Sequence, residues 1–536
     1  MSSQSHTIAV SDEPPPTLPL RVLLITNELT PFARVGGLGD MVSGLAAGLA
    51  DLDVDVRVLM PRYGWINASG MYRIPRPIAC EVGSNEFWTA VYEASLPSHP
   101  RVPVYFVDRL DMFDRDFIYG PNSGGYEDND LRFALLSAAA FAVSRTLRWT
   151  PHVFHAHDWP TAPVAELLRY RERISGFAES KSVLTVHNPA HSGPDGKRVA
   201  PRPLEPFSED SHSMPQPPGS GNGAGSVMPA GGEARRDSPS LVRGIASSDR
   251  IVFVSPSFAD EVMRPGRGFG LEDTLHARRD AIHGILNGVD YRRWNPSADS
   301  FLPVQYDIDT LDKREIVRRA LMREFGMPVD RGRPVIGMIA RLDEQKGFRE
   351  LLDRNTGSLE PLLKQNRFAF VVLGSGHDEF EQRLRELAHR YRNVGVALRF
   401  DERLAHMIEG GSDFFLMPSR YEPCGLNQIY SLRYGSIPIV SETGGLKDTI
   451  HDLSEDAGEG TGIVIRKNDP EQIKEAIERA LALWQRGPRV LNAVRQRGMR
   501  ERFSTEEMAK RYRTLYESTA QLEGEPADLR SSRALR

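Results

Sequence analysis

The sequence has few cysteines, no excess of one charge and no long apolar run. Cys80 and Cys424 are the only cysteines in 536 residues and stand far apart, so neither a disulfide framework nor a cysteine metal cluster is indicated, and a reducing cytoplasm is the expected location. The 67 basic and 72 acidic side chains give a formal net charge of −5, which does not indicate binding to nucleic acid or to an anionic membrane. The longest apolar stretch, around residues 135–143, is too short to span a bilayer.

The first twenty residues also lack the basic and apolar regions of a secretory signal peptide. Three consecutive prolines at positions 14–16 instead predict a disordered arm over residues 1–20. Hydrophobic residues make up 40% of the chain and charged residues 26%, which is ordinary for a soluble globular protein. A chain of this length is too long for a single core, so two domains are expected.

Strand and helix patterns alternate in the first half of the chain. Residues 21–26 (RVLLIT) form a near-continuous apolar run, as expected for a strand that is covered on both faces. A glycine-rich turn follows, and apolar residues then recur at helical spacing. Further strands are predicted at residues 54–60, 102–107, 152–155 and 183–187, and a long apolar-faced helix at residues 131–147. This alternation predicts α/β layers with parallel sheets.

The alternation breaks after His187. Residues 192–240 contain nine prolines and eight glycines, with little apolar periodicity. Such a segment cannot bury enough surface to offset the entropy of ordering it, so we expect a disordered or loosely packed insertion. The α/β pattern resumes at Arg250 (RIVFVS).

A second α/β unit begins near Pro334 (PVIGMIA) and ends in helices predicted at residues 470–486 and 505–520. The chain is therefore expected to form two doubly wound, Rossmann-like domains followed by a flexible tail. The N-terminal domain covers residues 21–295, the C-terminal domain residues 296–520, and the tail residues 521–536, with the final helices able to cross back to the N-terminal domain. Two such domains facing across a cleft would place a ligand between the carboxyl ends of strands and the N-termini of helices.

Two glycine-rich motifs each connect a strand to a helix. They are RVGGLGD at residues 34–40 and TGGL at residues 443–446. Glycines at such positions let backbone N–H groups approach a phosphate, which a helix N-terminus favours electrostatically, and Arg34 can add a charge-assisted hydrogen bond. Each motif is equally compatible with an ordinary tight turn.

Two cations bracket the loop that follows the first strand of the second unit. Arg341 and Lys346 lie in RLDEQKG, and the next helix begins near Gly347. Positive charge at this place suits a leaving diphosphate, whose negative charge rises as a glycosidic bond breaks. A solvated charged loop is the alternative interpretation.

A carboxylate follows a later strand of the same unit. Glu422 comes directly after DFFLMPSRY, in the segment EPCGL. A carboxylate at a strand end is a poor choice for packing and a good one for a site, although it would also complement the dipole of a following helix. Cys424 is expected to be a small buried hydrophobe, since nothing around it indicates thiol chemistry.

Two histidine motifs also lie at predicted strand ends. They are HAHDW at residues 155–159 and His187-Asn188. No further cluster of histidine and carboxylate residues joins them at ligand spacing, so no metal site is predicted.

Taken in order, these six motifs resemble glycosyltransferase family 5, the bacterial glycogen synthases and plant starch synthases. The resemblance extends from about residue 21 to residue 520 and implies two Rossmann-like domains in the GT-B arrangement. Its most specific parts are HAHDW at residues 155–159, PSRYEPCGL at residues 418–426 and ETGGLKDTI at residues 442–450. NGVDYRRWNP at residues 287–296 and YEDNDLRF at residues 126–133 are also similar to family segments.

The resemblance implies a role for five catalytic residues. Arg341 and Lys346 would bind the diphosphate of the donor, and Glu422 would contact the transferred glucosyl unit. Asp158 and His187 would face that sugar from the N-terminal domain.

The resemblance also implies a wider set of contacts to the donor nucleotide sugar. These residues are Arg34, Gly36, Gly37, Arg341, Lys346, Tyr430, Thr443, Gly444 and Gly445. Tyr430 stands where the related family 4 transferases carry a second Glu, which favours placement in family 5.

The chain departs from the family at two places. Arg34 stands where the family usually has Lys in K-T-G-G-L, which keeps the charge but changes its size and geometry. After His187 the family reads roughly L-A-Y-Q-G, whereas this chain has PAHSG, and the insertion replaces the family's aromatic-rich acceptor-side segment and its F-L-K-A-G helix. The donor side therefore matches the family, and the acceptor specificity is open.

The resemblance predicts transfer of glucose from ADP-glucose to the non-reducing 4-OH end of an α-1,4-glucan, with retention of configuration. No metal or other cofactor is expected, because Arg341 and Lys346 would supply the positive charge. The expected partners are the nucleotide sugar and glycogen, with no nucleic acid and no membrane. No nucleophilic carboxylate opposite the anomeric carbon is recognisable, which favours a same-face mechanism in which the leaving phosphate assists deprotonation of the acceptor.

Two alternatives stay open on the sequence. One is a retaining transferase with a different acceptor, and the other is a glucan-binding paralogue that has lost turnover. The sequence also leaves the choice between ADP-glucose and UDP-glucose undecided.

Overall fold

A computed structural model describes residues 19–121, 124–194, 238–330 and 332–521. Most of the predicted arm (1–20), insertion (192–240) and tail (521–536) lies outside these residues, so those three expectations stay predictions. Where the insertion is described, its two ends are joined, because the N–H of Ser240 donates to the carbonyl of Pro194 at 3.1 Å and that of Leu241 to the carbonyl of Ser192 at 3.1 Å.

The first half of the described chain builds one large sheet. Its strands are β1 (Arg21–Ile25), β2 (Asp55–Pro61), β3 (Tyr72–Arg73), β4 (Ile78–Val82), β5 (Asn85–Leu96), β6 (His99–Asp108), β7 (Val153–His157), β8 (Lys181–Val186), β9 (Arg250–Phe253) and β10 (Ile282–Gly284). The order is β10-β9-β8-β7-β1-β2-β6-β5-β3, with β4 paired to β5. The strands from β10 to β6 are parallel, and β5 runs antiparallel to β6. β1 is central, with Val22 paired to both Val56 and Val153.

The second half builds a smaller sheet in which every described pair is parallel. Its strands are β11 (Val335–Ile339), β12 (Ala369–Leu373), β13 (Val394–Ala397), β14 (Phe414–Met417), β15 (Ile437–Ser441) and β16 (Ile463–Ile465). The order is β13-β12-β11-β14-β15-β16. Both sheets are covered by helices, which is why their central strands are near-continuous apolar runs.

The helices connect the strands and cover the sheets. Those before β11 are α1 (Gly37–Asp51), α2 (Leu110–Phe113), α3 (Asn129–Thr146), α4 (Asp158–Thr161), α5 (Pro163–Leu167), α6 (Ser240–Ser247), α7 (Pro256–Glu261), α8 (Glu272–Ala277) and α9 (Arg314–Glu324). Those after β11 are α10 (Phe348–Leu352), α11 (Leu359–Lys364), α12 (Asp378–Arg390), α13 (Glu402–Gly411), α14 (Asn427–Tyr434), α15 (Gly444–Thr449), α16 (Pro470–Gln485), α17 (Pro488–Arg500) and α18 (Thr505–Ala520).

The last helix, α18, packs against the first sheet although it follows the second. Tyr512 and Tyr516 are fully buried in the core of the first sheet, and α18 lies along α1. The two helices approach closely because α1 carries glycine at the contact. A Cβ on Gly44 would lie 2.5 Å from the side chain of Thr505, and a Cβ on Gly48 would lie 2.8 Å from that of Ala509.

The predicted α/β class with parallel sheets is confirmed, and the elements named from the sequence lie within a few residues of those observed. The sequence pattern did not predict the antiparallel ribbon that β4 and β5 form. It carries exposed polar residues and lacks the long apolar runs of the parallel strands. Within the described chain, no helix combines the length and the apolar character that crossing a bilayer requires.

Candidate functional site

The sequence motifs lie at the carboxyl ends of parallel strands in both sheets. In the first sheet the RVGGLGD turn follows β1, HAHDW spans the end of β7, and His187 follows β8. In the second sheet the RLDEQKG loop follows β11, EPCGL follows β14 and TGGL follows β15. Since such ends share one edge of a sheet, each sheet presents its motifs together at a place where α/β proteins bind ligands.

The two edges meet at the segment 421–426. A Cβ on Gly37 would lie 3.1 Å from Cδ1 of Leu426, so the RVGGLGD turn contacts EPCGL directly. The hydroxyl of Ser255 donates to the carbonyl of Pro423 at 2.6 Å, and the rings of Phe269 and Tyr421 lie 4.8 Å apart. The motifs of the two sheets therefore line one cleft.

Lys346 and Glu422 form an ion pair at the base of this cleft. The Lys346 ammonium donates to Oε2 of Glu422 at 2.5 Å, and the hydroxyl of Ser419 donates to the same oxygen at 3.0 Å. Glu422 is 5% exposed. The close approach of the Lys346 loop to the Glu422 loop depends on Gly347. Its φ of 79° is in the left-handed region, and a Cβ at this position would lie 2.0 Å from the carbonyl oxygen of Pro418.

Arg341 lies on the rim of the same loop. Its side chain is 57% exposed and sits 3.4 Å from Oδ2 of Asp343, while Nη2 donates to Oε1 of Gln345 at 3.1 Å. Asp343 also accepts the N–H of Lys346 at 3.1 Å, which fixes the turn that carries both cations. Lys346, whose side chain is 19% exposed, is thus held against a buried carboxylate, whereas Arg341 is open to solvent.

Asp158 and His187 come together on the opposite wall. Oδ1 of Asp158 accepts the N–H groups of His187 at 2.6 Å and of Asn188 at 3.2 Å. Burial raises the pKa of Asp158 to about 7, the two backbone hydrogen bonds oppose that rise, and the charge of Glu28 adds to it. Asp158 also has a φ of 59°, which is uncommon for a residue other than glycine and typical of strained functional positions.

His187 is neutral at physiological pH because burial lowers its pKa to about 3. The residue is partly exposed and follows β8 at the edge where the motifs lie. Asp158 and His187 therefore present a carboxyl group and an uncharged imidazole side by side.

Glu28 organises the glycine-rich turn, and sequence reasoning missed it. Its Oε2 accepts the N–H groups of Val35 at 2.7 Å and Gly36 at 3.1 Å, and its Oε1 accepts the hydroxyl of Tyr119 at 2.6 Å. Glu28 is 3% exposed. Its position just beyond β1, at the same sheet edge as the motifs, was the signal that could have identified it.

The N-terminus of α1 remains open beside this carboxylate. Gly36 and Gly37 are exposed, and no described residue accepts the N–H of Gly37 or Leu38. Arg34 lies next to them and pairs with Asp40 at 3.0 Å. A helix of 15 residues that begins with unpaired N–H groups favours an anion at this end.

The TGGL motif, from which the resemblance implies backbone contacts to the donor, makes several contacts within the protein. Glu261 accepts the hydroxyl of Thr443 at 2.8 Å and the N–H of Gly444 at 2.9 Å, and the carbonyl of Glu422 accepts the N–H of Gly445 at 3.2 Å. A Cβ on Gly444 would lie 2.0 Å from that carbonyl. In this structure the two glycines hold α15 against the Glu422 loop, and their contact with a donor stays a prediction.

Tyr430 is not on the open wall of the cleft. Its ring is 5% exposed and stacks on Trp294 at 3.8 Å with an interplanar angle of 9°. Its expected contact with the donor stays a prediction as well.

The sequence analysis did not identify Phe400, an exposed aromatic residue at the carboxyl edge of the second sheet. Phe400 follows β13, is 77% exposed and lies 5.8 Å from the guanidinium of Arg34. Its contact with Arg34 places this ring beside the glycine-rich turn of the first sheet.

Neither a metal site nor thiol chemistry is evident in the part of the chain that the structure describes. No group of three or more histidine, cysteine or carboxylate residues is arranged there to hold a metal ion. Burial raises the pKa of the Cys424 thiol to about 12, which confirms that this residue is a small buried hydrophobe.

Known proteins resemble the chain over nearly all of its length. A family described as the starch synthase catalytic domain matches residues 21–277, and one described as glycosyl transferases group 1 matches residues 324–497. The glycogen synthase of Treponema denticola is 40% identical over 93% of this chain and 98% of its own length. That of Myxococcus xanthus is 37% identical over 93% of this chain and 99% of its own length.

A solved structure is similar in three dimensions. The catalytic domain of starch synthase IV from Arabidopsis thaliana, bound to ADP and acarbose, has a TM-score of 0.79 at 26% identity, over 94% of this chain and 100% of that chain. Together with the group 1 match, this similarity confirms the GT-B arrangement predicted from the sequence.

Proposed function

Because the chain belongs to the family of bacterial glycogen synthases and plant starch synthases, we propose that it transfers glucose from ADP-glucose to the non-reducing 4-OH end of an α-1,4-glucan with retention of configuration. The protein is a glucosyltransferase of glycogen synthesis. ADP-glucose as the donor, the α-1,4 linkage and the retention of configuration are what we propose beyond this activity. The observation that carries this proposal is the Lys346–Glu422 ion pair at the carboxyl edge of the second sheet, together with the Asp158–His187 pair at the carboxyl edge of the first sheet.

The cations of the second sheet bind the donor diphosphate. Lys346 has three N–H donors, so it can keep Glu422 while it binds a phosphate oxygen, and exposed Arg341 turns onto the other phosphate. The open N–H groups of Gly37 and Leu38 at the start of α1, with Arg34 beside them, complete an anion site. These charges neutralise the leaving group without a metal ion.

The nucleotide base and the sugar occupy the two sides of this anion site. The exposed ring of Phe400 is a surface on which the purine stacks, since every base has a π-face. Glu422 binds the hydroxyls of the transferred glucose, and Asp158 and His187 contact the same sugar from the first sheet. This role of Glu422 is supported by its hydrogen bonds, because Lys346 and Ser419 both donate to Oε2, and no described residue donates to Oε1.

The reaction then proceeds on one face of the sugar. The bond between C1 and the phosphate oxygen breaks, the acceptor 4-OH forms its bond to C1 on the same face, and the hydroxyl proton passes to the leaving phosphate. Positive charge develops on the sugar near Asp158, and negative charge develops on the diphosphate near Lys346 and Arg341.

We expect new α-1,4 linkages when the protein is incubated with ADP-glucose and glycogen in the presence of EDTA. The measurement is incorporation of labelled glucose with ADP-glucose or UDP-glucose, each with and without glycogen, followed by NMR analysis of the linkage. β-Linked products would contradict retention, and activity that appears only after Mg²⁺ is added would contradict the role of the two cations. Transfer to small glucosides alone would favour a different acceptor, and binding of glycogen without transfer would favour an inactive paralogue.

The acceptor is proposed to enter along Trp65. Trp65 lies in the loop after β2, next to β1 in the sheet, and is 47% exposed. Its ring stacks on buried Tyr63 at 4.8 Å with an interplanar angle of 13°, and its Nε1–H donates to the carbonyl of Phe32 at 3.2 Å. A ring held on one face and open on the other suits the C–H face of a glucose unit.

Trp65→Ala is expected to raise the KM for glycogen about three- to tenfold, because the loss of an aromatic contact costs about 0.5–1.5 kcal/mol. Trp65→Phe should show a smaller rise, and neither variant should change the KM for the donor. Trp88 is the matched control, since it is 58% exposed on the β5 ribbon, away from the cleft motifs. Equal effects of Trp65→Ala and Trp88→Ala would show that the acceptor does not use Trp65.

A further inference from the structure

Two buried histidines, His155 and His157, and the partly exposed His187 form a column beneath the site. The rings of His155 and His157, both on β7, lie 4.1 Å apart. Nδ1 of His157 and Nε2 of His187 share a hydrogen bond of 3.2 Å. The column therefore connects the interior of the first sheet to the imidazole that faces the cleft.

The far end of the column is held by α18. The hydroxyl of Tyr516 lies 2.7 Å from Nδ1 of His155, and Nε2 of His155 lies 2.7 Å from the hydroxyl of Thr185, which in turn is 3.0 Å from the hydroxyl of Tyr512. Both ring nitrogens of His155 are thus engaged. The ring of His157, which lies against His155 at an interplanar angle of 41°, therefore packs on a side chain that is fixed at both nitrogens.

All three imidazoles are neutral, since burial lowers the pKa of His155 and of His157 well below the usual value and that of His187 to about 3. A neutral imidazole carries one N–H, and the hydrogen bond made by one nitrogen decides which nitrogen keeps the proton. Two arrangements are then open. Either Nδ1–H of His157 donates to Nε2 of His187, or Nε2–H of His187 donates to Nδ1 of His157.

The remaining nitrogen of His157 distinguishes the two arrangements. Its Nε2 is buried, and no residue in the described part of the chain is bonded to it. In the first arrangement this nitrogen is unprotonated and carries an unused lone pair. In the second it is protonated, and its N–H has no acceptor. A buried N–H without a partner is rarer and more costly than an unused acceptor, so the first arrangement is favoured.

We propose that His157 is a positioning residue that holds His187 as the Nδ1–H tautomer, so that Nδ1–H of His187 donates to an oxygen of the sugar in the cleft. Among the described residues nothing bonds to Nδ1 of His187, and the residue is partly exposed. The identity of the sugar rests on the proposed function, whereas the tautomer does not. With the opposite tautomer, His187 would present a lone pair and would accept from a hydroxyl.

The tautomer is measured directly by ¹⁵N NMR of the full chain with labelled histidine, because protonated and unprotonated ring nitrogens resonate far apart. The ring signals that disappear from the spectrum of His187→Gln are assigned to His187. We expect Nδ1 of His187 to be protonated in the wild type, and we expect His157→Phe to lose that preference. A wild-type signal with Nε2 protonated would overturn the proposal, as would an unchanged signal in His157→Phe.

Kinetics provide the second readout. His157→Asn places an amide N–H near the position of Nδ1 and should retain most activity, whereas His157→Phe should lower kcat/KM for the donor about tenfold. His283→Phe, on β10 of the same sheet, is the matched control and should leave kcat/KM unchanged. Equal losses in the Asn and Phe variants, or no loss in either, would overturn the positioning role, and the NMR result stands even if the protein uses a different donor.

Discussion

Lys346→Ala is expected to lower kcat/KM by about two orders of magnitude or more, because it removes a cation that contacts the leaving diphosphate in the transition state. The loss should fall mainly on kcat, since negative charge on the phosphate rises as the glycosidic bond breaks. Lys474→Ala is the matched control. That lysine is on α16 at the surface, 3.8 Å from Glu471, and should be neutral. Steady-state kinetics with the donor varied at saturating glycogen provide the measurement.

The same substitution leaves Glu422 buried without its cation, so part of any loss could come from an altered fold. Removing the cation that pairs with a buried carboxylate is destabilising. The double variant Lys346→Ala/Glu422→Gln should therefore regain thermal stability relative to Lys346→Ala without regaining activity. Near-wild-type kinetics in a folded Lys346→Ala protein would remove this residue from the diphosphate site.

Asp158→Asn is expected to lower kcat about 100-fold or more and, at pH 8, to make the protein more stable. The loss follows because an ionised Asp158 stabilises the positive charge that develops on the sugar. Asn retains an oxygen for the N–H groups of His187 and Asn188, and it tolerates the left-handed backbone at this position. Asp51→Asn, at a side chain that is 53% exposed, is the matched control.

The gain in stability follows from the raised pKa of Asp158. Because the folded pKa is about 7 and the unfolded value is 3.8, the carboxyl is protonated in the folded protein and ionised in the unfolded chain between these values. The unfolded state then binds fewer protons, so this group lowers stability as pH rises from about 4 to about 7, by roughly 2–4 kcal/mol in total. The variant lacks this titration.

The difference in unfolding free energy between Asp158→Asn and the wild type should therefore grow from pH 4 to pH 7 and then level off. His155, His157 and His187 have lowered pKa values and act in the opposite direction, but they are common to both proteins and cancel in the difference. Denaturant unfolding at several pH values measures it. A difference that is independent of pH would show that Asp158 is not held protonated by burial.

The sequence predicted the parallel strands and the site residues that follow them. Apolar runs such as RVLLIT are local signals of a strand covered on both faces, and the polar residues that interrupt them mark the strand ends. Glu422, Asp158 and Lys346 could be selected in this way. The β5 ribbon could not, because its alternation is weak and its pairing with β6 depends on contacts rather than composition.

Sequence reasoning was less successful where one residue acts on a distant one. Glu28 accepts from Val35 and Gly36, a contact that depends on how the turn folds back over β1. Glu261 accepts the N–H of Gly444, 183 residues away, so one backbone donor of the TGGL motif is already engaged within the protein. Neither partner is indicated by spacing.

By itself, the sequence determined the α/β class, the order of the motifs and the residues that carry charge at strand ends, because each of these depends on local periodicity or on residue type. Only the tertiary structure decided that Lys346 meets Glu422 across 76 residues and that α18 returns to hold His155. It also decided the protonation of Asp158 and His187, since burial and hydrogen bonding shift a pKa and both arise only when the sheets and helices have packed.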